Sequence, residues 1–173
     1  MHINSRYMPI KGFLMTHDIS PTPEELAAVG SCCAAFNVRK ASRVITRLYA
    51  EAFAPVGLEP TQFMLLVACA RQATVTMGAL AGRMSMDPSA LARNVTILER
   101  RGLVRIVPGA DRRVRDISIS AKGRKTLSRA LPRWRDVQAK LAGQVGEDSF
   151  RSAVELMKGI VRSSEALLDH PIS

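Results

Sequence analysis

The residues best equipped for chemistry in this sequence are its arginines. Between Arg100 and Arg135 there are twelve Lys or Arg side chains, ten of them Arg, against Asp111 and Asp116 alone. That local excess equals the +10 formal charge of the whole 173-residue chain, so the positive charge is concentrated rather than spread. A guanidinium presents a planar fork that matches phosphate oxygens and enters narrow minor grooves, so a block of this kind points to double-stranded DNA as the partner. A merely solvated basic surface is the plain alternative. The block begins at the end of a candidate helix and continues through Pro108-Gly109-Ala110-Asp111, a turn-rich break between two short strand-like runs.

Other chemistries lack their residues. His2, His17 and His170 all lie near a terminus, which leaves no histidine for a hydrolytic triad or a His-based metal site in the expected core. Cys32, Cys33 and Cys69 are odd in number and show no metal-ligand spacing. Gly78 and Gly82 are not part of a phosphate-binding loop. Asp111 and Asp116 flank arginines rather than forming the acidic pair of a metal-dependent nuclease. No enzyme, metal or cofactor is therefore expected. The longest apolar run, Phe63 to Ala70, is far short of a membrane span, and Arg6, Pro9, Lys11 and Gly12 interrupt any secretory signal, so no membrane partner and a cytoplasmic location are expected. At 47% apolar and 23% charged residues, the chain has the composition of an ordinary globular protein.

The elements that must carry the cations can be placed from caps and periodicity. Residues 1–21 show no sustained period and read as a flexible leader. Thr22-Pro23-Glu24-Glu25 has the N-cap, proline and N3 glutamate of a helix start. Val38, Ala41, Ile45, Leu48 and Ala52 recur at helical spacing, predicting a long helix from Ser31 to about Phe53, ended by Pro55-Val56-Gly57. Pro60-Thr61-Gln62 opens a helix around the apolar run, and Thr76 can cap a short one from Met77 to about Arg83. Asp87-Pro88-Ser89 starts the next, which reaches Arg101 with Gly102 as its stop. The last two make a helix-turn-helix candidate. Leu103–Val107 and Val114–Ile119 are expected to form a hairpin with Ile117 and Ile119 inward, and Ser120 to cap a long helix bent at Pro132. A final amphipathic helix should run from Glu147 to Leu168.

This order of elements resembles the MarR family of winged-helix transcription factors over about residues 31–168. The resemblance rests on Leu58-Glu59-Pro60-Thr61-Gln62-Phe63, on Met86-Asp87-Pro88-Ser89-Ala90-Leu91-Ala92-Arg93, on Leu98-Glu99-Arg100-Arg101-Gly102-Leu103-Val104, and on Asp111-Arg112-Arg113 followed by Ile117-Ser118-Ile119-Ser120-Ala121-Lys122-Gly123. It implies a mainly α (α+β) fold: a winged helix-turn-helix DNA-binding domain over residues 58–120, flanked by dimerisation helices at 22–57 and 121–173. It also implies a homodimer on a palindromic operator. Ser89, Ala90, Arg93 and Asn94 would lie in the major groove, where arginine can read guanine and asparagine adenine. Asp111, Arg112, Arg113 and Arg115 would form the wing, with Arg113 in the minor groove and Asp111 holding it.

The resulting expectation is a ligand-responsive regulator, a repressor, with a small aromatic or anionic effector bound near Phe36, Arg43, Tyr49, Phe63, Met64 and Trp134. Plain core or surface roles are the alternative for each. A second reading is a cysteine-based redox sensor using Cys32 and Cys33. In the family's peroxide-sensing branch, however, the reactive position falls on Ala35, and adjacent helical cysteines bridge poorly. A third is an architectural protein that binds any duplex.

Overall fold

The computed structural model describes residues 20–108 and 115–169. The chain divides into two compact units within one helix, between Ser42 and Arg43. In the first unit, α1 (Pro23–Cys32) starts at the expected capping box: the Glu25 amide donates to Thr22 Oγ1 at 3.2 Å, and the Thr22 amide donates to Glu25 Oε2 at 2.7 Å. Ser31 and Cys32 belong to this helix, which corrects the expectation that the long helix starts at Ser31. Cys33 is extended between the two helices, and α2 (Ala34–Phe53) begins after it. At the interruption the Asn37 side-chain amide donates to the Ser31 carbonyl, and it also donates to the Cys33 carbonyl, which accepts from the Asn37 backbone amide as well.

The second unit takes α2 onward through a 3-10 turn, Ala54–Val56, to Gly57 at φ +66°. It continues with α3 (Pro60–Ala70), β1 (Val75–Thr76), α4 (Met77–Met84), α5 (Pro88–Arg100), β2 (Val104–Pro108), β3 (Arg115–Ile119), α6 (Ala121–Val145) and α7 (Glu147–Asp169). The strands form one antiparallel sheet in the order β1-β3-β2. Ile117 sits at its centre, opposite Val75 on one side and Ile106 on the other. The hairpin and its inward isoleucines are as expected. The first strand was not foreseen, and β2 begins at Val104 because the Leu103 amide still donates to Leu98 at the end of α5.

Packing explains the arrangement. Leu65 and Leu66 of α3, Leu80 of α4, Leu91 and Leu98 of α5 and Ile117 of β3 are fully buried in a common core. Burial of each such side chain is worth about 1.5–3 kcal/mol relative to exposure. Phe53 stacks on Phe63 with ring centroids 4.5 Å apart, tying the end of α2 to α3. The Ser120 hydroxyl accepts from the Gly123 amide at 2.9 Å and donates to the Gly102 carbonyl at 2.6 Å, so the start of α6 is fastened to the end of α5. α6 continues through Pro132 as one helix, whereas α7 contributes no buried residue. Among the described residues, no single helix is long and apolar enough to cross a membrane.

Candidate nucleic-acid interface

The start of α5 is the most defined polar surface. Asp87 Oδ1 accepts from the backbone amides of Ser89 at 2.8 Å and Ala90 at 3.1 Å, and also from the Ser89 hydroxyl. These hydrogen bonds stabilise the carboxylate, so the Asp87 pKa lies below its ordinary value. Proline at the first helical position needs no amide partner, which completes the cap. Leu91, Val95 and Leu98 anchor one face of the helix in the core. Ser89 and Arg93 are left exposed on another, with Arg93 Nη1 3.5 Å from the Ser89 hydroxyl. Ala90 is half-buried, and the Asn94 amide donates to the Ala90 carbonyl at 2.9 Å. That bond uses one of the two N–H donors of the Asn94 side chain.

The approach to this helix is fixed by its predecessor. The Thr76 hydroxyl accepts from the Ala79 amide at 3.1 Å to cap α4. At the other end Ser85 adopts φ +44°, and the Met86 amide returns to the Ala81 carbonyl. This left-handed closure turns the chain sharply into the Asp87 cap.

Arg115 is exposed at the start of β3, in register with Pro108. Asp111, Arg112 and Arg113, the other expected wing residues, lie outside the described residues. The strands leading to them are held in the core by Val104 and Ile117, and β2 packs against α5.

The expected effector residues have varied surroundings. Phe63 is a core side chain stacked on Phe53, and Met64 is exposed. Tyr49 and Trp134 are half-buried against the core, and Tyr49 lies 5.8 Å from Phe53. Burial raises the Tyr49 pKa, partly offset by the hydrogen-bonding Gln138 side chain. Arg43 is exposed, and in the first unit Phe36 is exposed too. Cys32 is exposed, with its thiol directed to the Ala28 carbonyl, and Cys33 is half-buried. A group of residues to which the sequence reading gave no role stands at the far end of α5: Arg101, Gln62 and Lys122. The signal for it was present, because Gln62 stands at the third helical position after Glu59, where a side chain reaches back to the cap.

A helix-turn-helix followed by an antiparallel hairpin defines a winged-helix DNA-binding protein. Comparison with known proteins makes this specific. A model of the MarR family matches residues 56–114. The structure of the M. tuberculosis transcriptional regulator MosR in complex with DNA is 36% identical, with a TM-score of 0.66 over 76% of this chain and 98% of that one. A second M. tuberculosis MosR structure is 32% identical, with a TM-score of 0.70 over 79% and 98% of the two chains. The repressor CouR, bound to a 23-mer DNA duplex, shares the fold at 22% identity, with a TM-score of 0.72 over 82% and 99%. A search of functionally curated proteins gives no match. The chain belongs to the MarR family. It is accordingly a DNA-binding transcriptional regulator and not an enzyme.

Proposed function

We propose that this regulator is a homodimeric repressor that recognises a palindromic operator and releases it on binding a small effector. The observation that carries the reading is the start of α5, where a fully used cap leaves Ser89 and Arg93 exposed while the opposite face is locked in the core. Held in this way, Arg93 can address a guanine edge, with the Ser89 hydroxyl beside it at the groove, while the first-turn amides stay committed to Asp87. Ala90 and Asn94 complete the major-groove surface. Asp111, Arg112, Arg113 and Arg115 are assigned to the wing and its minor-groove contact.

Dimerisation is supported by unpartnered apolar faces. Leu156 is 68% and Leu168 80% exposed on α7, with Ile160 and Val161 also exposed. A contiguous apolar face of this kind is characteristic of an interaction surface. The proposed division is a leader at 1–21, dimerisation helices at 22–57 and 121–173, and a DNA-binding domain at 58–120.

The proposed effector is an aromatic anion. Tyr49 and Trp134 lie half-buried beside the core, Arg43 offers charge, and Phe63 and Met64 complete the proposed set within the second unit. A ligand there can act only through unequal affinity for the DNA-competent and DNA-incompetent states.

The test uses a duplex selected by the wild-type protein from a random library. Arg93→Ala should weaken its binding by about 1–3 kcal/mol and relax sequence preference. Wild-type affinity in this variant would overturn the docking.

A further inference from the structure

We propose that Arg101 is a positioning residue for DNA readout, which locks the end of α5 to the start of α3 through the buried amide of Gln62. The inference rests on the reading of α5 as the recognition helix. Gln62 is only 6% exposed, yet its Oε1 accepts two bonds. One comes from the Glu59 amide at 3.3 Å and the other from Arg101 Nη1 at 3.0 Å. The guanidinium also lies over the turn that precedes α3: a Cβ on Gly57 would stand 3.3 Å from Arg101 Nη2. Gly57 therefore serves two ends, since its φ of +66° also disfavours a side chain.

The main chain of Arg101 is fixed independently. Its carbonyl accepts from Lys122 Nζ at 2.8 Å, and the next carbonyl, that of Gly102, accepts from the Ser120 hydroxyl. One residue is thus tied by its side chain to α3 and by its backbone to α6. Among the described residues, no carboxylate forms an ion pair with it. Its acceptor is a neutral, buried amide, which provides direction without cancelling charge.

The lever arm makes this joint consequential for recognition. At 1.5 Å per residue Ser89 lies roughly 18 Å from Arg101, so a tilt of about 5° with repacking of Leu91, Val95 and Leu98 displaces it by about 1.5 Å. Hydrogen bonds to base edges do not survive such a displacement. Contacts to phosphates are more tolerant, because long cationic side chains can follow the backbone. Loosening the joint should therefore remove specificity and spare general DNA affinity.

The experiment compares Arg101→Met and Gln62→Met with wild type on the selected duplex and on a random duplex of equal length, each across a salt series. Melting temperatures confirm that each variant is folded. Gln62→Met keeps every charge and removes the amide that accepts from Arg101 and from the Glu59 backbone. Both variants should bind the selected duplex about tenfold more weakly, the loss of roughly one base contact, with random-duplex affinity within about twofold and unchanged salt slopes. The proposal is overturned if both variants bind the selected duplex as wild type does. It is equally overturned if Arg101→Met weakens both duplexes in parallel with a shallower salt slope while Gln62→Met is silent, since Arg101 would then be a phosphate contact. If Gln62→Met does not fold, the Arg101→Met arm decides by the same criteria. A wild-type protein without preference for its selected duplex would instead refute the recognition-helix reading, and the joint with it.

Discussion

Replacing Gly123 with alanine should loosen the junction that fastens the start of α6 to the end of α5. Gly123 lies in the first turn of α6, where its amide donates to the Ser120 hydroxyl. A Cβ at this position would stand 2.0 Å from the Leu103 carbonyl oxygen and 2.8 Å from Ile119 Cγ1. The first neighbour is backbone, so it cannot rotate away; a Cβ 2.0 Å from it must move by about 1.4 Å to reach ordinary contact at 3.4 Å. That same carbonyl accepts from the Ser120 amide at 3.0 Å, and the shift also strains the Ser120 bond to the Gly102 carbonyl. Overpacking costs about 1–3 kcal/mol, and each weakened hydrogen bond about 1 kcal/mol. The helix preference of alanine over glycine returns about 1 kcal/mol. The net destabilisation is about 2–4 kcal/mol, or roughly 5–15 °C in melting temperature for a chain of this size. Thermal and urea unfolding at one protein concentration measure it. Gly82→Ala is the control: it is also helical, but a Cβ there meets nothing within 4 Å, so it should be neutral or stabilising. A Gly123→Ala protein as stable as wild type would refute the reasoning.

Three further outcomes follow from the described geometry. Asp87 has a lowered pKa in the folded chain, so its contribution to stability is full above the unfolded value near 4 and is lost as pH falls through the lower folded value. The melting difference between wild type and Asp87→Ala should therefore be constant near neutrality and vanish in acid; a difference that grows in acid would contradict the cap. Burial pushes the Cys69 thiol up to about 11, whereas Cys32 is exposed, so a thiol reagent near pH 8 should label Cys32 first and Cys69 only on unfolding. Rapid labelling of Cys69 in the native protein, read by mass spectrometry, would contradict its place in the core. Light scattering in moderate salt should give twice the 18.9 kDa chain mass, and a concentration-independent monomer would refute the dimer.

Much of the fold was legible because its boundaries are local chemistry. Thr22, Thr76, Asp87 and Ser120 are each a small polar side chain placed to accept from an amide two or three residues on, and each starts a helix in the structure. The hairpin was legible from Ile117 and Ile119 on either side of Ser118. The break at Cys33 was not, because neither proline nor glycine marks it; there the Asn37 side-chain amide donates to the Ser31 and Cys33 carbonyls. β1 was equally hidden, since two residues carry no period and Val75 becomes a strand only by pairing with Ile117. At the candidate interface, the motifs that resemble the MarR family supplied the candidate contacts Ser89 and Arg93. They gave no sign that Asn94 bonds back to Ala90 or that Arg101 reaches Gln62, because both depend on rotamers and on partners brought together by folding.

The central claim, that the start of α5 reads DNA sequence, is tested most directly by the affinity ratio between the selected duplex and a random duplex at one stated salt concentration. Wild type and Arg93→Ala should be measured side by side. The account predicts a wild-type preference of at least about a thousandfold, as specific binders show. Arg93→Ala should reduce that preference by roughly tenfold or more while keeping the melting temperature of wild type. Equal binding of both duplexes by the wild-type protein, or an unchanged ratio in a folded Arg93→Ala variant, would contradict it.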